Sequence, residues 1–333
     1  MIISKTPYRI SFFGGGTDYP SWYKKNGGFV ISATIDKYIY ISCRTLPPFF
    51  KHKYRIVWSH IETVKKLNKI KHKVVRTMIK KYKIKKGLEI HYDGDLPARS
   101  GMGSSSSFVV GLINALFKLN KNNLDKKELA KKSLFIEQKI LNETVGSQDQ
   151  IAAAYGGFNR IFFNKNNSFK LKKIKTNKNL KLLEDNLILI YTSINRNAHD
   201  IASGYVKNLK STKKDYIKEI IDHVEEGEKI LKSKNIDDFG RLLNSAWNIK
   251  KQLGKSITNN KIDELYDYAL KNGALGGKIL GAGGGGFLLL YMKKKDRINF
   301  LNKNKKIINI PFKFSDTGSE IIFKEKNIDK YFF

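Results

Sequence analysis

A glycine- and serine-rich stretch that runs directly into an apolar segment constrains this chain more than any other feature. It reads Asp95-Leu-Pro-Ala-Arg-Ser-Gly-Met-Gly-Ser-Ser-Ser-Ser107 and continues into residues 108–119. Gly101 and Gly103 let the backbone approach a bulky anion, because neither residue carries a Cβ. The serines that follow can cap a helix, donate to phosphate oxygens or bind Mg²⁺. The stretch therefore predicts an anion site at a helix N-terminus, where backbone N–H groups and the positive end of the helix dipole meet.

The same stretch is also compatible with an ordinary helix N-cap that follows a flexible Ser/Gly linker. It is not the P-loop of nucleotide-binding proteins, because no Gly-Lys-Ser/Thr follows a glycine at the required spacing. The nearest candidate, Gly277-Lys278-Ile279, has the wrong third residue, and Asn272 stands where the first glycine should be. We therefore expect an anion site of another type.

Length and hydrophobic patterning predict two α+β domains. The chain has 333 residues, which exceeds the usual size of a single core. Strand patterns dominate the first half, including residues 1–13 and the pair 29–35 and 38–44, with Asp36-Lys37 as their turn. Helical periodicity is predicted at 71–81, 108–119, 126–141, 197–209, 216–231, 236–253 and 262–271. The lysine-rich segment 165–181 is the best candidate for a hairpin or domain connection, so we place the domains at 1–180 and 181–333.

The balance of charges indicates anionic ligands. Lys and Arg number 63 against 30 Asp and Glu, which gives a formal net charge of +33 and favours nucleic acid, a membrane surface or phosphorylated metabolites. Only nine of these cations are arginines, which counts against nucleic acid, since base recognition relies on bidentate arginine contacts.

Other features of the composition indicate where the protein works. No apolar run approaches the roughly 20 residues that span a bilayer, and the N-terminus lacks a signal-peptide pattern. The single cysteine, Cys43, excludes an internal disulfide and suggests a reducing compartment. We expect a cytoplasmic protein with no nucleic-acid or membrane partner.

Three glycine-rich stretches, taken in order, resemble the motifs of the GHMP small-molecule kinases. They are Pro7-Tyr-Arg-Ile-Ser-Phe-Phe-Gly-Gly-Gly-Thr-Asp18, the stretch from Pro97 to Ser107, and the stretch from Lys278 to Phe287. The resemblance spans nearly the whole chain. It implies an α+β fold with a ribosomal-protein-S5-like N-terminal domain, a ferredoxin-like C-terminal domain and an active site in the cleft between them. It also implies ATP and Mg²⁺ as cofactors.

The resemblance implies roles for individual residues. Asp149 matches the aspartate that orients or deprotonates the attacking hydroxyl, and Arg9 matches a cation near the γ-phosphate. Glu137 matches the metal-binding glutamate, with Ser105 as the second Mg²⁺ ligand. The residues expected to bind the ATP phosphates are Ser100, Gly101, Gly103, Ser104, Ser105 and Ser106. Those expected to bind the substrate are Asp18, Gly15, Gly16, Thr17, Arg196, Gly283 and Gly284.

Each of these assignments has a structural alternative. Arg9 is also compatible with a surface position on a strand, and Glu137 with a solvated helix position. Asp149 would also favour the N-terminus of its own helix, and Asp18 would also make an Asx-turn.

Within the family the chain most resembles the sugar 1-kinases, and among them the kinases of D-glycero-D-manno-heptose 7-phosphate. The residues are those from Arg9 to Asp18, from Leu96 to Phe108, and Asn195-Arg-Asn-Ala-His-Asp200. Galactokinase-like members carry Glu-His where this chain has Gly15-Gly16, so galactose is not expected. The resemblance implies phosphorylation of the anomeric hydroxyl to the 1,7-bisphosphate, in the formation of nucleotide-activated heptose for a surface polysaccharide.

Several questions stay open at this point. A 1-kinase of another sugar, such as a 6-deoxyhexose or a hexosamine, and a non-catalytic RNA- or ligand-binding protein are the alternatives. A homodimer is compatible with the sequence. Candidate cations for the 7-phosphate are Arg196, Arg44, Lys37 and His72, and candidate neighbours of adenine are Trp58 and Arg99.

Overall fold

The computed structural model of the protein describes residues 1–194 and 214–325. Its strands are β1 (Ile2–Phe13), β2 (Gly28–Leu46), β3 (Tyr54–Val57), β4 (Ile61–Val64), β5 (Gly87–Gly94), β6 (Phe158–Phe163), β7 (Phe169–Lys173), β8 (Leu187–Tyr191), β9 (Ala274–Ile279), β10 (Phe287–Met292), β11 (Ile308–Asn309) and β12 (Glu320–Lys324). Its α-helices are α1 (Pro20–Asn26), α2 (Lys73–Lys81), α3 (Ser104–Leu119), α4 (Lys126–Phe135), α5 (Gln148–Tyr155), α6 (Lys178–Asn186), α7 (Lys214–Ile230), α8 (Asp237–Gln252), α9 (Asn260–Lys271) and α10 (Lys294–Lys303).

Two sheets organise the described residues. The first has eight strands in the order β12-β1-β2-β5-β3-β4, and β6 extends it by pairing with β2 and β7. The second has four strands in the order β11-β8-β10-β9, all antiparallel. The large buried aromatic side chains of the two sheets and their helices belong to one continuous apolar cluster. The glycine-rich loops that connect these strands and helices are therefore attached to one connected core.

The prediction of a turn at Asp36-Lys37 is wrong, because β2 is one strand of 19 residues that runs through this position. Its first half pairs with β6 and its second half with β5, while β1 pairs along both halves. Asp36 is held at the middle by the C-terminal segment: its N–H donates to the Lys313 carbonyl at 2.9 Å, and its carboxylate accepts from the Lys313 N–H at 2.9 Å. A remote segment satisfies the polar groups that suggested a turn, so the strand continues.

Helix α3 begins at Ser104, four residues earlier than the apolar pattern predicts. It packs across β1 and β2, where the Ser4 hydroxyl donates to the Gly111 carbonyl at 2.9 Å. Its N-cap residue is Gly103, with φ of +76°. The serines of the expected anion site therefore form the first turn of the helix, and their backbone N–H groups point out of its N-terminus.

The helix predicted at 126–141 is regular only as far as Phe135. Residues Ile136–Ile140 form one π-helical turn, a geometry that is often found at functional sites. Ser147 directly precedes α5, and the helix-capping that its hydroxyl could provide is not formed. The Ser147 hydroxyl contacts the Tyr23 hydroxyl and accepts from Gln138 Nε2 instead.

In the second half of the chain, helices α7, α8 and α9 match the predictions at 216–231, 236–253 and 262–271 to within two residues at each end. Strand β11 has only two residues. The segment 165–181, predicted as a hairpin or a domain connection, contains β7 of the β6–β7 hairpin and the start of α6. The helix predicted at 197–209 and the motif at 195–200 lie outside the described residues.

The second sheet starts at Leu187, shortly after the expected division at residue 180. However, β12 lies near the C-terminus and pairs with β1, so this part of the expected second domain belongs to the first sheet. Cys43 is buried and free. Across residues 1–194 and 214–325, no helix is long and apolar enough to cross a membrane.

Candidate active site

A cleft of about 1050 Å³ is bounded by segments of both sheets. The glycine loop after β1, the N-terminus of α3 and the N-terminus of α5 line one side, and helices α7 and α8 and the loop after β9 line the other. The predicted site residues that line it are Arg9, Gly15, Gly16, Asp18, Gly101, Gly103, Ser104, Ser105, Ser106 and Asp149. Residues that are far apart in the chain are thus brought into one cavity.

Arg9 and Asp149 form a bidentate ion pair in this cleft. Arg9 Nε and Nη2 each donate to a different Asp149 oxygen at 2.7 Å, and Arg9 Nη1 donates to the Gly101 carbonyl at 2.8 Å. The Arg9 side chain is almost fully buried, whereas that of Asp149 is 24% exposed. Two parallel bonds fix the plane of the carboxylate, so Asp149 presents its exposed edge to the cleft in a defined orientation.

The loop before α3 has the shape that a phosphate group requires. Gly103 lies between this loop and the ion pair, and a Cβ there would be 3.3 Å from Arg9 Cγ and 3.4 Å from Asp149 Oδ2. Its positive φ also favours glycine. Ser104, Ser105 and Ser106 line the cleft in the first helical turn, so hydroxyls and free backbone N–H groups converge on one point.

Ser100 differs from the other serines of the loop. It is buried, it does not line the cleft, and its hydroxyl has no hydrogen-bond partner among the described residues. Its backbone packs against Gly286 in the third glycine-rich loop. Ser100 is therefore placed to join the two loops, and a contact of its side chain with ATP stays a prediction.

Glu137 lies beneath the serines and is completely buried. Its carboxylate accepts from Ser106 Oγ at 2.9 Å and from Gln150 Nε2 at 2.5 Å, and Ser105 Oγ lies 3.4 Å away. Burial raises the pKa of Glu137 to about 8. Such a carboxyl group is stabilised by a nearby cation.

These residues fit Mg²⁺. The ion usually takes one or two carboxylates and completes its shell with phosphate oxygens and water, and Glu137 with Ser105 or Ser106 supplies such a set. In the described part of the chain, no three His, Cys, Asp or Glu side chains cluster closely enough to hold a metal by themselves. A magnesium ion here would depend on the nucleotide for most of its ligands.

The glycine loop after β1 carries Asp18 to the floor of the cleft. Asp18 is buried, and its carboxylate accepts from the Gly16 N–H at 3.0 Å and the Gln148 N–H at 3.4 Å. Burial and the charge of Asp149 raise the pKa of Asp18 to about 6. Gly146 packs so closely that a Cβ would lie 1.9 Å from Asp18 Oδ2. Only glycine is compatible with this contact.

The other predicted substrate residues are placed differently. The Thr17 hydroxyl is buried and lies 2.8 Å from the carbonyl oxygens of both Gly14 and Phe29, to one of which it donates, and it accepts from the Phe29 N–H at 3.0 Å. It therefore holds the loop closed. In the third glycine-rich loop, Gly281 and Ala282 line the cleft, whereas the Gly284 N–H donates to the Ile257 carbonyl at 2.6 Å. Gly283 also contacts Ile257. Direct substrate contacts by Thr17, Gly283 and Gly284 stay predictions.

An aromatic cluster closes the end of the cleft beside α3. The Trp58 and His60 rings stack at 5.1 Å, and His72 lies 4.8 Å from Trp58 and 5.1 Å from Phe108. Tyr92 packs edge-on against Phe108 at 5.5 Å. Trp58 and Arg99, suggested as neighbours of adenine, both line this end. The cluster offers a flat apolar surface next to the serines.

Most cations suggested for a second phosphate lie elsewhere. Arg44 is paired with Glu89, and Lys37 with Asp36; neither lines the cleft. His72 belongs to the aromatic cluster, and Arg196 lies outside the described residues. Sequence reasoning missed several basic residues that do line the cleft, among them Lys73, Lys250, Lys278 and His223. Lys278 stands inside the third motif, but only the fold shows that its side chain faces the cavity.

Comparison with known proteins adds two family matches. The model for the GHMP kinases N terminal domain matches residues 68–157, and the model for the GHMP kinases C terminal region matches residues 228–306. The first covers the serine loop, α3 and Asp149. The second ends after the third glycine-rich loop and thus includes Lys278.

Individual relatives agree with these matches. The D-glycero-alpha-D-manno-heptose 7-phosphate kinase of Campylobacter jejuni is 30% identical over 345 residues, which covers 95% of this chain and 97% of that protein. The bifunctional fucokinase/GDP-fucose pyrophosphorylase of Arabidopsis thaliana is 23% identical over 89% of this chain and 30% of that protein. A solved structure, described as a D-glycero-D-manno-heptose 1-phosphate kinase from Bacteriodes thetaiotaomicron, has a TM-score of 0.79 at 23% identity and covers 98% of this chain and 100% of that chain.

Proposed function

Since this chain belongs to the GHMP kinase family and has its two-domain fold, we propose that it phosphorylates the anomeric hydroxyl of D-glycero-D-manno-heptose 7-phosphate at the expense of ATP. The product would be the 1,7-bisphosphate, a precursor of nucleotide-activated heptose for a surface polysaccharide. The coarser activity, ATP-dependent phosphotransfer, follows from the family. The choice of sugar is supported by the C. jejuni relative, which matches along almost its whole length.

The observation that carries the proposal is the Arg9–Asp149 pair between two kinds of loop. On one side lie the serines at the N-terminus of α3, and on the other lies the Gly15–Gly16 loop with Asp18. Phosphoryl transfer needs a donor and an acceptor held in line, with cationic groups around the transferred phosphoryl group. This arrangement suits ATP on the serine side and a sugar on the glycine-loop side.

The ion pair suggests how the transfer proceeds. The exposed edge of the Asp149 carboxylate accepts the proton of the acceptor hydroxyl as that oxygen bonds to the γ-phosphorus. The bond from phosphorus to the bridging oxygen of ADP breaks in the same displacement. Arg9 holds the Asp149 carboxylate in a fixed orientation, and its guanidinium also places positive charge beside the transferred group. Gly101, Gly103 and the first turn of α3 donate backbone N–H groups to the phosphate oxygens.

Glu137, with Ser105 or Ser106, would hold Mg²⁺ together with the nucleotide. The ion supplies positive charge to the β- and γ-phosphates when it is bound. The Gln150 side chain and the Ser106 hydroxyl both donate to Glu137 Oε2 and fix the carboxylate. The buried carboxyl group is thus oriented toward the serine loop before any nucleotide arrives.

Asp18 and the aromatic cluster would orient the two substrates. Asp18 accepts from backbone N–H groups within its own loop and from Gln148 at the start of α5, so one carboxylate connects the sugar loop to the helix of Asp149. The rings of Trp58 and His72 would pack against adenine, since base stacking on aromatic side chains is sequence-tolerant and favourable.

A direct test is turnover of MgATP with a panel of acceptors, followed by phosphorus NMR of the product. We expect D-glycero-D-manno-heptose 7-phosphate to give a new anomeric phosphate resonance at the highest kcat/KM. Exclusive turnover of a 6-deoxyhexose or hexosamine would keep the kinase assignment and overturn the choice of sugar. If ATP alone bound and none of the acceptors reacted, the proposed transfer would be wrong.

A further inference from the structure

We propose that Lys278 and His223 form the anion site that holds the non-reacting phosphate of the acceptor sugar. The inference rests on the proposed function, because the proposed acceptor carries a phosphate group away from the hydroxyl that reacts. The sequence motifs place almost the whole site on the first sheet and its helices. Lys278, on β9 of the second sheet, and His223, on α7, would add binding residues from the other side of the chain's core.

Lys278 is a buried basic residue with no acidic partner among the described residues. It lies on β9 opposite Leu289, a fully buried residue of β10, and only 7% of Lys278 is exposed. Its Nζ donates to the Phe12 carbonyl at 2.6 Å. Within the described residues it forms no ion pair, and its closest charged influence is Arg9, another cation. Burial, reinforced by Arg9, lowers the pKa of Lys278 to about 7.

An ammonium group in this position is unfavourable unless a negatively charged group binds next to it. A buried charge is normally paired, because desolvation is not offset by one neutral carbonyl. Lys278 lines the cleft, so the missing negative charge can come from a ligand there. A phosphate monoester supplies about two negative charges and several acceptor oxygens, which suits the remaining N–H donors of the ammonium.

His223 supplies a second unsatisfied group beside this lysine. Its Nε2 contacts Ser245 Oγ at 3.0 Å, while its buried Nδ1 has no partner among the described residues. The His223 ring lies 6.4 Å from the ring of Phe13, the residue that follows the Phe12 carbonyl to which Lys278 donates. Burial and the charge of Lys278 lower the pKa of His223. His223 lines the cleft from α7. A neutral imidazole with its proton on Nδ1 can donate to a phosphate oxygen.

The position of the pair relates it to the acceptor. Phe12, which accepts from Lys278, lies two residues before Gly14 on the chain that enters the sugar loop. Gly14 itself packs against Val224, the neighbour of His223, where a Cβ would lie 2.8 Å from Val224 Cγ2. The serines that suit the ATP phosphates belong to a different loop, and Arg9 lies between. We therefore assign the anion bound by Lys278 and His223 to the acceptor sugar and not to ATP.

The test compares a phosphorylated acceptor with the same sugar without its phosphate. Binding of D-glycero-D-manno-heptose 7-phosphate and of the unphosphorylated heptose is measured by calorimetry, and steady-state kinetics give KM for both and for ATP. We expect Lys278→Met to weaken the phosphorylated sugar about 10- to 100-fold, with little change for the plain sugar or in KM for ATP. His223→Gln should give a smaller loss of the same selectivity, and Lys278→Arg should restore part of the affinity.

A matched control is Lys126→Met, which also removes a lysine that donates to a carbonyl, that of Tyr155, but outside the cleft. Lys126→Met should leave KM unchanged for the phosphorylated sugar, for the plain sugar and for ATP. An equal loss of kcat on both sugars, or a higher KM for ATP, would assign Lys278 to the nucleotide and overturn the inference. A fall in Tm without selective loss of the phosphorylated sugar would make Lys278 a structural link between the sheets, which also overturns it.

The inference and the proposed function fail in different ways. If heptose 7-phosphate is not turned over, but another sugar phosphate binds the wild type and binds Lys278→Met more weakly, the anion site stands and the sugar assignment falls. If heptose 7-phosphate is turned over with the same KM by wild type and Lys278→Met, the function stands and the anion site falls. Failure of the wild type to bind any sugar phosphate would also exclude the anion site.

Discussion

Arg9 donates two hydrogen bonds of 2.7 Å to the carboxylate of Asp149, a residue 140 positions later in the chain. The pair connects β1 to the N-terminus of α5 and leaves one edge of the carboxylate facing the cleft. Replacing Arg9 or Asp149 by a neutral residue, or displacing either side chain, would change both the charge of the pair and the orientation of the residue at position 149. The pair is therefore the first place to test the proposed chemistry.

Asp149→Asn should lower kcat by about 10²- to 10⁴-fold, because a carboxamide cannot accept the proton of the attacking hydroxyl. KM for ATP should change little, since the phosphate loop does not depend on the Asp149 charge for its shape. Initial rates with heptose 7-phosphate measure the effect. Asp316→Asn, an exposed aspartate, should keep the wild-type rate. A variant of Asp149 with full activity would remove this residue from the mechanism.

Arg9→Lys should lower kcat by about 10³-fold or more, because one ammonium cannot reproduce both parallel bonds and the contact to the Gly101 carbonyl. Arg160→Lys is a matched control. Arg160 is also mostly buried and is paired with Glu228, but it does not line the cleft, so its change should affect Tm and not kcat. Equal kinetic effects of the two changes would show that general destabilisation, not the active-site pair, is responsible.

Gly103→Ala should raise KM for ATP and lower kcat/KM by about tenfold or more. The new Cβ would press on the Arg9 side chain, and an L-residue at φ of +76° costs about 1–2 kcal/mol. Gly27→Ala provides the comparison, since Gly27 has φ of +78° and its Cβ would meet only one atom, at 3.7 Å. We expect Gly27→Ala to reduce stability and leave the kinetic constants of the folded enzyme unchanged. Wild-type kinetics in Gly103→Ala would contradict the packing argument.

Trp58→Ala should raise KM for ATP by roughly tenfold, since stacking of one base is worth about 1–3 kcal/mol. KM for the sugar should stay the same, because Trp58 packs against His60 and His72 and not against the residues proposed to bind the sugar. Phe49→Ala removes another aromatic ring, one that is 75% exposed and outside the cleft, and should have no kinetic effect. A larger change in KM for the sugar than for ATP would place the nucleotide elsewhere.

Asp18 should make folding stability depend on pH. Its pKa is raised from 3.8 to about 6 in the folded protein, so between these values the folded state holds a proton that the unfolded state releases. The unfolding free energy therefore falls as pH rises from about 4 to 6, by up to about 3 kcal/mol from this group. Asp18→Asn should remove this part of the pH dependence. Chemical denaturation of both proteins at several pH values measures the difference, and parallel curves would contradict the assignment.

Much of the candidate site could be predicted from the sequence, and local chemistry explains why. Gly101, Gly103 and the serines lie within a few residues of one another at the start of one helix, so their geometry depends mainly on short-range structure. The resemblance to the GHMP kinases placed Arg9 and Asp149 in the same active site in separate roles, and the structure joins them in one ion pair. Residue spacing alone would not have joined positions 140 residues apart.

The turn predicted at Asp36-Lys37 failed because the outcome depends on a contact that is remote in the chain. The segment around Lys313 satisfies the polar groups of Asp36, and β2 continues through it. Local propensity does not decide this outcome, since it is set by which distant group supplies a hydrogen-bond partner.

The sequence by itself determined the family, the phosphate loop and the residue types that carry the reaction, because these depend on side-chain chemistry and on short motifs. Only the tertiary structure decided which side chains face the cleft. Lys278 is one lysine among many in a strongly basic chain, and its sequence position looks like part of an ordinary strand. Its side chain becomes exceptional only in the fold, because β9 pairs with β10 and the Lys278 amine reaches the Phe12 carbonyl near the end of β1. There it is removed from water and has no counter-charge among the described residues.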